Sequence, residues 1–177
     1  GNFRQLYVDG RRAVRARGDA LPGAELHGKD GYKTTAVEMA DWRNPADIEF
    51  CYYVVWCHTR CKVQSIKREG DHAIVTMLQP HFTNAREKEG VRVNLPSYVE
   101  NALELLDEPG EWYLDRAAKT VYYKPLPGQD MTKVRVVCAH DCPDMCSLVV
   151  EVEEGRLVRL QGDPDEAYTA GFACAKV

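Results

Sequence analysis

The sequence predicts a mainly β protein: a β-rich module with one short helix over residues 1–130, then a small cysteine-rich β-hairpin unit over residues 131–177. Three observations carry this. Runs of β-branched and aromatic residues are punctuated by turn pairs such as Asp9-Gly10, Pro109-Gly110 and Pro127-Gly128. One stretch alone has the spacing of a capped helix. Past Pro125-Leu-Pro127-Gly128-Gln-Asp130 the composition changes, and thiols concentrate in the tail.

The elements follow in order. Leu6-Tyr-Val8 and Arg11-Arg-Ala-Val14 flank Asp9-Gly10, the pair favoured in two-residue hairpin turns because both central positions need positive φ. Residues 48–56, Ile-Glu-Phe-Cys-Tyr-Tyr-Val-Val-Trp, predict a strand, and Ala73-Ile-Val-Thr-Met-Leu78 predicts another ahead of Pro80. A helix is expected over Ser97–Asp107. There Ser97 and Glu100 have capping-box spacing, and Val99, Ala102, Leu103 and Leu106 share one face. Its acidic residues Glu100, Glu104 and Asp107 are then a solvated face. Glu111–Asp115 and Thr120–Lys124 predict a hairpin across a four-residue connection. A strand over residues 131–137 opens the second unit, and Leu148–Val152 with Arg156–Leu160 forms a hairpin through Glu153-Glu154-Gly155.

With 45% apolar and 28% charged residues the chain is globular rather than disordered. A net charge of −4 gives no electrostatic footprint for nucleic acid, and the short basic run Arg11 to Arg17 reads as a solvated strand edge. No stretch has the apolar length of a membrane span, and no secretory signal is visible, so a soluble, cytoplasmic protein is expected.

Function concentrates in Cys138-Ala-His-Asp-Cys142-Pro-Asp-Met-Cys146 and Gly171-Phe-Ala-Cys174-Ala-Lys176. Three thiols at three-residue gaps plus one returned from a distance suit a 4Fe–4S cluster, which takes four thiolates at tetrahedral corners. A zinc site is the weaker alternative, because zinc ribbons prefer two C-x2-C knuckles. A unit of under about fifty residues also needs a staple, and metal binding energy there is folding energy.

These residues resemble the N-terminal 4Fe–4S region of the molybdopterin oxidoreductases, the Mo/W bis-MGD family. The match runs from about Val134 to Val177 and includes Glu154-Gly155-Arg156 and Gly162-Asp163-Pro164. The resemblance implies Cys138, Cys142, Cys146 and Cys174 as cluster ligands and Lys176 as the basic residue between cluster and pterin. It implies Mo/W bis-MGD only in a full-length parent, whose molybdopterin-binding domains are not in this sequence. One departure is Glu166-Ala167, where the family often has His-Pro. Phe3-Arg-Gln-Leu-Tyr-Val-Asp-Gly-Arg-Arg-Ala, Trp42-Arg-Asn-Pro and the stretch from Glu100 to Arg116 resemble bacterial right-handed parallel β-helix proteins of the glycoside-hydrolase type. The similar region there is a β-rich insert, and catalytic carboxylates come from later rungs.

Other candidates have plainer readings. Cys51, Cys57, His58 and Cys61 could form a second metal site, but a strand placing Cys51 and Cys57 on one apolar face favours core packing. Trp112, Tyr113, Tyr122 and Tyr123 could stack on a glycan, though paired-strand aromatics more often support one another. The acidic pairs Asp107 with Glu108 and Glu111 with Asp115 have nothing to fix a catalytic separation. His58, His72, His81 and His140 have no ligand spacing. The leading expectation is iron–sulfur binding and electron transfer beside a non-redox β-module. The alternative is a carbohydrate-associated module with an inert or zinc-binding tail.

Overall fold

The computed structural model describes residues 4–19, 21–132, 134–137, 147–153, 156–165, 167, 170 and 171. It is mainly β, 44% strand and 11% helix. The strands are β1 (Tyr7–Val8), β2 (Arg11–Arg12), β3 (Val14–Arg15), β4 (Arg17–Gly18), β5 (Glu25–His27), β6 (Gly31–Thr34), β7 (Glu49–Val54), β8 (Cys57–Glu69) and β9 (His72–Met77). The helix α1 (His81–Ala85) follows. After it come β10 (Glu87–Lys88), β11 (Val91–Arg92), β12 (Tyr98–Glu100), β13 (Glu111–Asp115), β14 (Thr120–Tyr123), β15 (Arg135–Val137), β16 (Ser147–Glu153) and β17 (Arg156–Gly162). Two compact units are formed, one of residues 16–105 and one of residues 1–15 with 106–177.

The unit 16–105 is built on a sheet of order β4-β12-β7-β8-β9-β6-β5, with β8 at its centre. Strand alternation sends Phe50, Tyr52 and Val54 of β7, Cys61 and Val63 of β8, and Ala73, Val75 and Met77 of β9 into one apolar core. Tyr32 stacks on Phe50 at 5.7 Å and meets Phe82 of α1 edge-on at 5.4 Å. Gly31 is required where β6 crosses β9, because a Cβ there would lie 1.8 Å from the Val75 carbonyl oxygen.

The unit of residues 1–15 and 106–177 holds a sheet of order β17-β16-β15-β1-β2 and a smaller one of order β14-β13-β3. Asp9 and Gly10 have φ of 51° and 72°, and Tyr7 pairs with Arg12 as the Asp-Gly turn predicts. The expected 111–124 hairpin is β13 with β14, and the expected C-terminal hairpin is β16 with β17. Leu6, Val8, Trp112, Leu114 and Val134 form the core. Among the described strands only β3 and β13 pair in parallel, so these sheets are not rungs of a parallel solenoid.

Three expectations are corrected. The helix over Ser97–Asp107 is instead strand β12 and a 3₁₀ turn, Leu103–Leu105. The capping residues are taken by the sheet: the Ser97 amide donates to the Cys51 carbonyl, and the Ser97 hydroxyl accepts from the Tyr53 amide. Glu100 is not solvated but 5% exposed and paired with Arg60, and Asn101 turns the chain at φ 64° while its Nδ2 donates to the Asp47 carbonyl. Residues 48–56 are not one strand. Val55 and Trp56 reverse the chain, placing Cys51 on β7 and Cys57 on β8 as parts of a hairpin in which Val54 pairs with Cys57. In the basic run, Arg11, Arg12 and Arg17 are exposed, but Arg15 is 7% exposed with its guanidinium 5.8 Å from the Trp112 ring.

Candidate functional site

Cys138, Cys142, Cys146, Cys174, Lys176 and His140 lie outside the described residues. What the described residues fix is the frame that carries them. β15 ends at Val137 and β16 begins at Ser147, and these two residues are register partners. The covalent segment 138–146, which contains three of the cysteines, therefore joins two neighbouring strand ends. β17 ends at Gly162 opposite Leu148, so the chain leaves the hairpin at that same end of the sheet.

The exit is shaped by a buried carboxylate. Asp163 is 2% exposed, and its Oδ1 accepts from the Asp165 amide at 3.0 Å, an Asx turn just after β17. Gly171, at φ 86°, packs so near Pro164 that a Cβ would lie 3.3 Å from the Pro164 Cα. Cys174 follows three residues later. By its chemistry, a donor set of four thiols suits a four-thiolate cluster.

Of the other thiols only Cys61 belongs to the apolar core; Cys51 is buried on the opposite face of the sheet and Cys57 is half-buried, so the expected shared core face of Cys51 and Cys57 does not form. Cys51 and Cys61 are 0% and 1% exposed, and none of Cys51, Cys57 and Cys61 is in a disulfide. Burial, with Glu100 next, pushes the Cys51 thiol up to about 12, and burial does the same for Cys61, to about 12. Neutral buried thiols are weak ligands. Among the described residues no group of three His, Cys, Asp or Glu side chains could hold a metal ion.

The four aromatics considered for stacking are not a platform. Trp112 and Tyr113 are both 0% exposed. Tyr122 is a half-buried neighbour of the Tyr113 ring, and the Tyr123 hydroxyl donates to Gln129 Oε1 at 2.9 Å. The acidic pairs are structural as well: Glu111 Oε2 accepts from the Glu108 amide, and Asp115 Oδ1 accepts from the Ala118 amide. His72 pairs with Asp71 at 2.5 Å. A different ring cluster, Tyr53, His58 and Tyr98, lies on the outer face of β7, β8 and β12. Sequence reasoning missed it because Tyr98 joins it only through the β12–β7 register.

Residues 1–126 match the family model described as the GH141 insertion domain. The chain belongs to that family. Residues 131–177, past the insertion domain, match the molybdopterin oxidoreductase Fe4S4 domain, so both resemblances seen in the sequence hold. A solved structure titled "Glycoside hydrolase" is 26% identical with a TM-score of 0.59 over 76% of this chain and 26% of that one. A curated relative, the probable oxidoreductase YoaE of Bacillus subtilis (strain 168), is 51% identical over 41 residues. That alignment covers 23% of this chain and 6% of the relative, so the chain spans only a small part of either protein. The Fe4S4 match supports iron–sulfur binding and electron transfer in general terms beside the insertion domain. No helix among the described residues is long and apolar enough to cross a membrane.

Proposed function

We propose that Cys138, Cys142, Cys146 and Cys174 bind one 4Fe–4S cluster and that the C-terminal segment relays single electrons for a molybdopterin-dependent oxidoreductase. The observation that carries this is the Fe4S4 match over residues 131–177, which spans all four cysteines in their three-plus-one spacing. When bound, the cluster supplies one-electron redox chemistry. The chain's own part is to hold four thiolates in register. The register pair Val137–Ser147 of β15 and β16, which flanks the segment 138–146, supports this reading for the first three. Lys176 supplies a cation beside the electron-rich site, lowering the cost of adding negative charge. The Mo/W bis-MGD centre and the substrate chemistry belong to pterin-binding domains of a longer parent.

A second reading is favoured by the match over residues 1–126: a carbohydrate-associated module, the insert of a β-helix protein, whose cysteine tail is inert or binds zinc. Anaerobic purification with iron, sulfide and zinc analysis separates the two. The expected protein is brown, and replacing any of the four cysteines by Ser lowers bound iron and sulfide, whereas Cys57→Ser does not. Equal iron loss from Cys57→Ser and Cys174→Ser, or stoichiometric zinc without sulfide, would overturn the assignment.

A further inference from the structure

One tyrosine of the unit 16–105 has a base at its hydroxyl. The Tyr98 hydroxyl and His58 Nε2 share a hydrogen bond at 2.8 Å, within the reach over which a positioned base takes a proton. Strand alternation brings the two together. Phe50, Tyr52 and Val54 of β7 point into the core, so Cys51 and Tyr53 turn to the opposite face. There, register sets Cys51 beside Tyr98 of β12 and Tyr53 beside His58 of β8. The hydroxyls of Tyr32, Tyr52 and Tyr123 end instead on a carbonyl, a second hydroxyl or an amide oxygen, and none of these takes up a proton near neutral pH.

The charges around the pair decide in which form Tyr98 loses an electron. From β4 the Arg17 guanidinium lies 5.6 Å from the Tyr98 ring centre. β8 adds Arg60 and Lys62, β7 adds Cys51 and Glu49, and β12 adds Glu100. Arg60 Nε bridges Glu100 Oε1 at 2.9 Å, and Glu49 pairs in register with both Lys62 and Glu100. A guanidinium over the ring, with three cations against two carboxylates on this face, opposes a positively charged radical. The phenolate is opposed as well: burial, then Cys51 and Glu100, hold the Tyr98 hydroxyl above its usual range. Tyr98 therefore gives up its electron and its proton together. Burial and then Arg60 hold the His58 imidazole below its usual range, so at neutral pH it is neutral, and with its own proton on Nδ1 it offers the Nε2 lone pair to Tyr98.

The pair is reached from solvent through its neighbour. Tyr53 is 58% exposed, and its ring centre lies 4.6 Å from that of His58 and 6.1 Å from that of Tyr98. An electron hole placed on Tyr53 has no base beside it, whereas one ring away Tyr98 has His58. Transfer inward is therefore downhill, because only at Tyr98 does the proton have somewhere to go.

We propose that Tyr98 is a one-electron redox site, oxidised by a strong one-electron oxidant, an inorganic radical or a high-potential metal complex, that arrives at the exposed rings. One electron passes from the Tyr98 phenol to the oxidant and the hydroxyl proton passes to His58 Nε2. The products are a neutral Tyr98 phenoxyl radical, a His58 imidazolium and the reduced oxidant. The inference does not rest on the iron–sulfur reading. The test is flash oxidation of the full chain by photogenerated tris(bipyridine)ruthenium(III), with the radical followed by its optical absorption and, after freezing, by electron paramagnetic resonance. The same chain carrying Tyr98→Phe, His58→Gln or His58→Ala runs alongside, so that any contribution of the cysteine tail is common to all. The parent should give a neutral phenoxyl radical, most of which Tyr98→Phe removes. His58→Gln should form it roughly a hundredfold more slowly, the lower end of what a positioned base contributes. Added imidazole should restore the rate in His58→Ala, which separates loss of the base from loss of structure. As pH falls through the lowered His58 range the parental rate should drop, because an imidazolium accepts no proton, and His58→Gln should show no such step. Equal radical yield in Tyr98→Phe, a parental rate in His58→Gln, a rate level across that pH range, or a parental radical that rests on the Trp56 indole would overturn the proposal.

Discussion

Leu6→Ala tests whether the N-terminal hairpin is part of the fold that presents the cysteine segment. β1 lies between β2 and β15 in one sheet, with Tyr7 facing Val137, the residue just before Cys138. Leu6 precedes β1, is 7% exposed, and packs with Val8, Trp112, Leu114 and Val134. Its carbonyl also accepts from the Ala13 amide at 2.8 Å, closing the hairpin. Truncation to Ala removes three carbons at about 0.8 kcal/mol each, roughly 2.5 kcal/mol, near the lower end of the range for buried Leu→Ala. A change of that size raises the fraction of molecules with the hairpin open by roughly 60-fold.

The assay is loss of the iron–sulfur visible absorption of reconstituted protein under excess chelator, compared with Arg11→Ala. Arg11 is exposed on the same hairpin, and its replacement should alter stability by no more than about 0.5 kcal/mol. Leu6→Ala should bleach many-fold faster than the parent, and Arg11→Ala at the parental rate. Should Leu6→Ala fail to fold, Leu6→Val, which removes about 0.8 kcal/mol of burial, gives a smaller shift in the same direction. Equal bleaching in Leu6→Ala and Arg11→Ala, with a lowered melting temperature in Leu6→Ala alone, would refute the reasoning. The cysteine segment would then stand without β1.

Two further outcomes follow from buried groups. Burial raises Cys51, Cys61 and Tyr32 to about 12, so the native state keeps protons that the unfolded chain releases. This stability is fully present below the unfolded thiol range and is lost as pH rises from about 9 toward 12; melting temperatures that stay level through that window would contradict it. Gly31→Ala sets a methyl 1.8 Å from the Val75 carbonyl oxygen, a backbone atom that cannot yield like a side chain. It should abolish the cooperative melt of the unit 16–105 or lower it by more than about 4 kcal/mol, and a near-parental melt would show that β6 can shift.

What was legible in the sequence was local. Asp9-Gly10 requires its hairpin through φ alone, and the Glu111–Tyr123 and Ser147–Gly162 hairpins follow from short turns between β-branched and aromatic runs. Ser97 and Glu100 misled because the same side chains that cap a helix can serve a sheet, and the choice was made by partners far away, Tyr53 and Arg60. β8 was missed although Cys61 and Val63 alternate with Lys62 and Gln64, because its polar residues mask a central strand. Helix α1 begins after Pro80 without a capping hydrogen bond, so no local signal announces it. For the cysteine unit the sequence was richer than the structure, since the three-plus-one spacing suggests a four-thiol donor set and the structure describes only the strands that flank it.

That frame changes how the two family matches relate. They meet between residues 126 and 131, as the composition break suggests. The hydrogen-bonded sheet does not divide there: β1 and β2 lie in the segment matched to the insertion domain, β15, β16 and β17 in the segment matched to the Fe4S4 domain, and β1 pairs with β15. Without β1, β15 would present an open edge, and the sheet would shrink to the three strands β15, β16 and β17, about the lower limit for a sheet that is stable in water. Val8 and Val134, one from each matched segment, share a core with Trp112. A small metal-stapled unit ordinarily owes its folding to its metal. Here β1 and the Leu6–Val8 contacts supply part of that support, so β15 should stay protected from protease even when iron is removed, while the cysteine segment 138–146 should depend on the cluster.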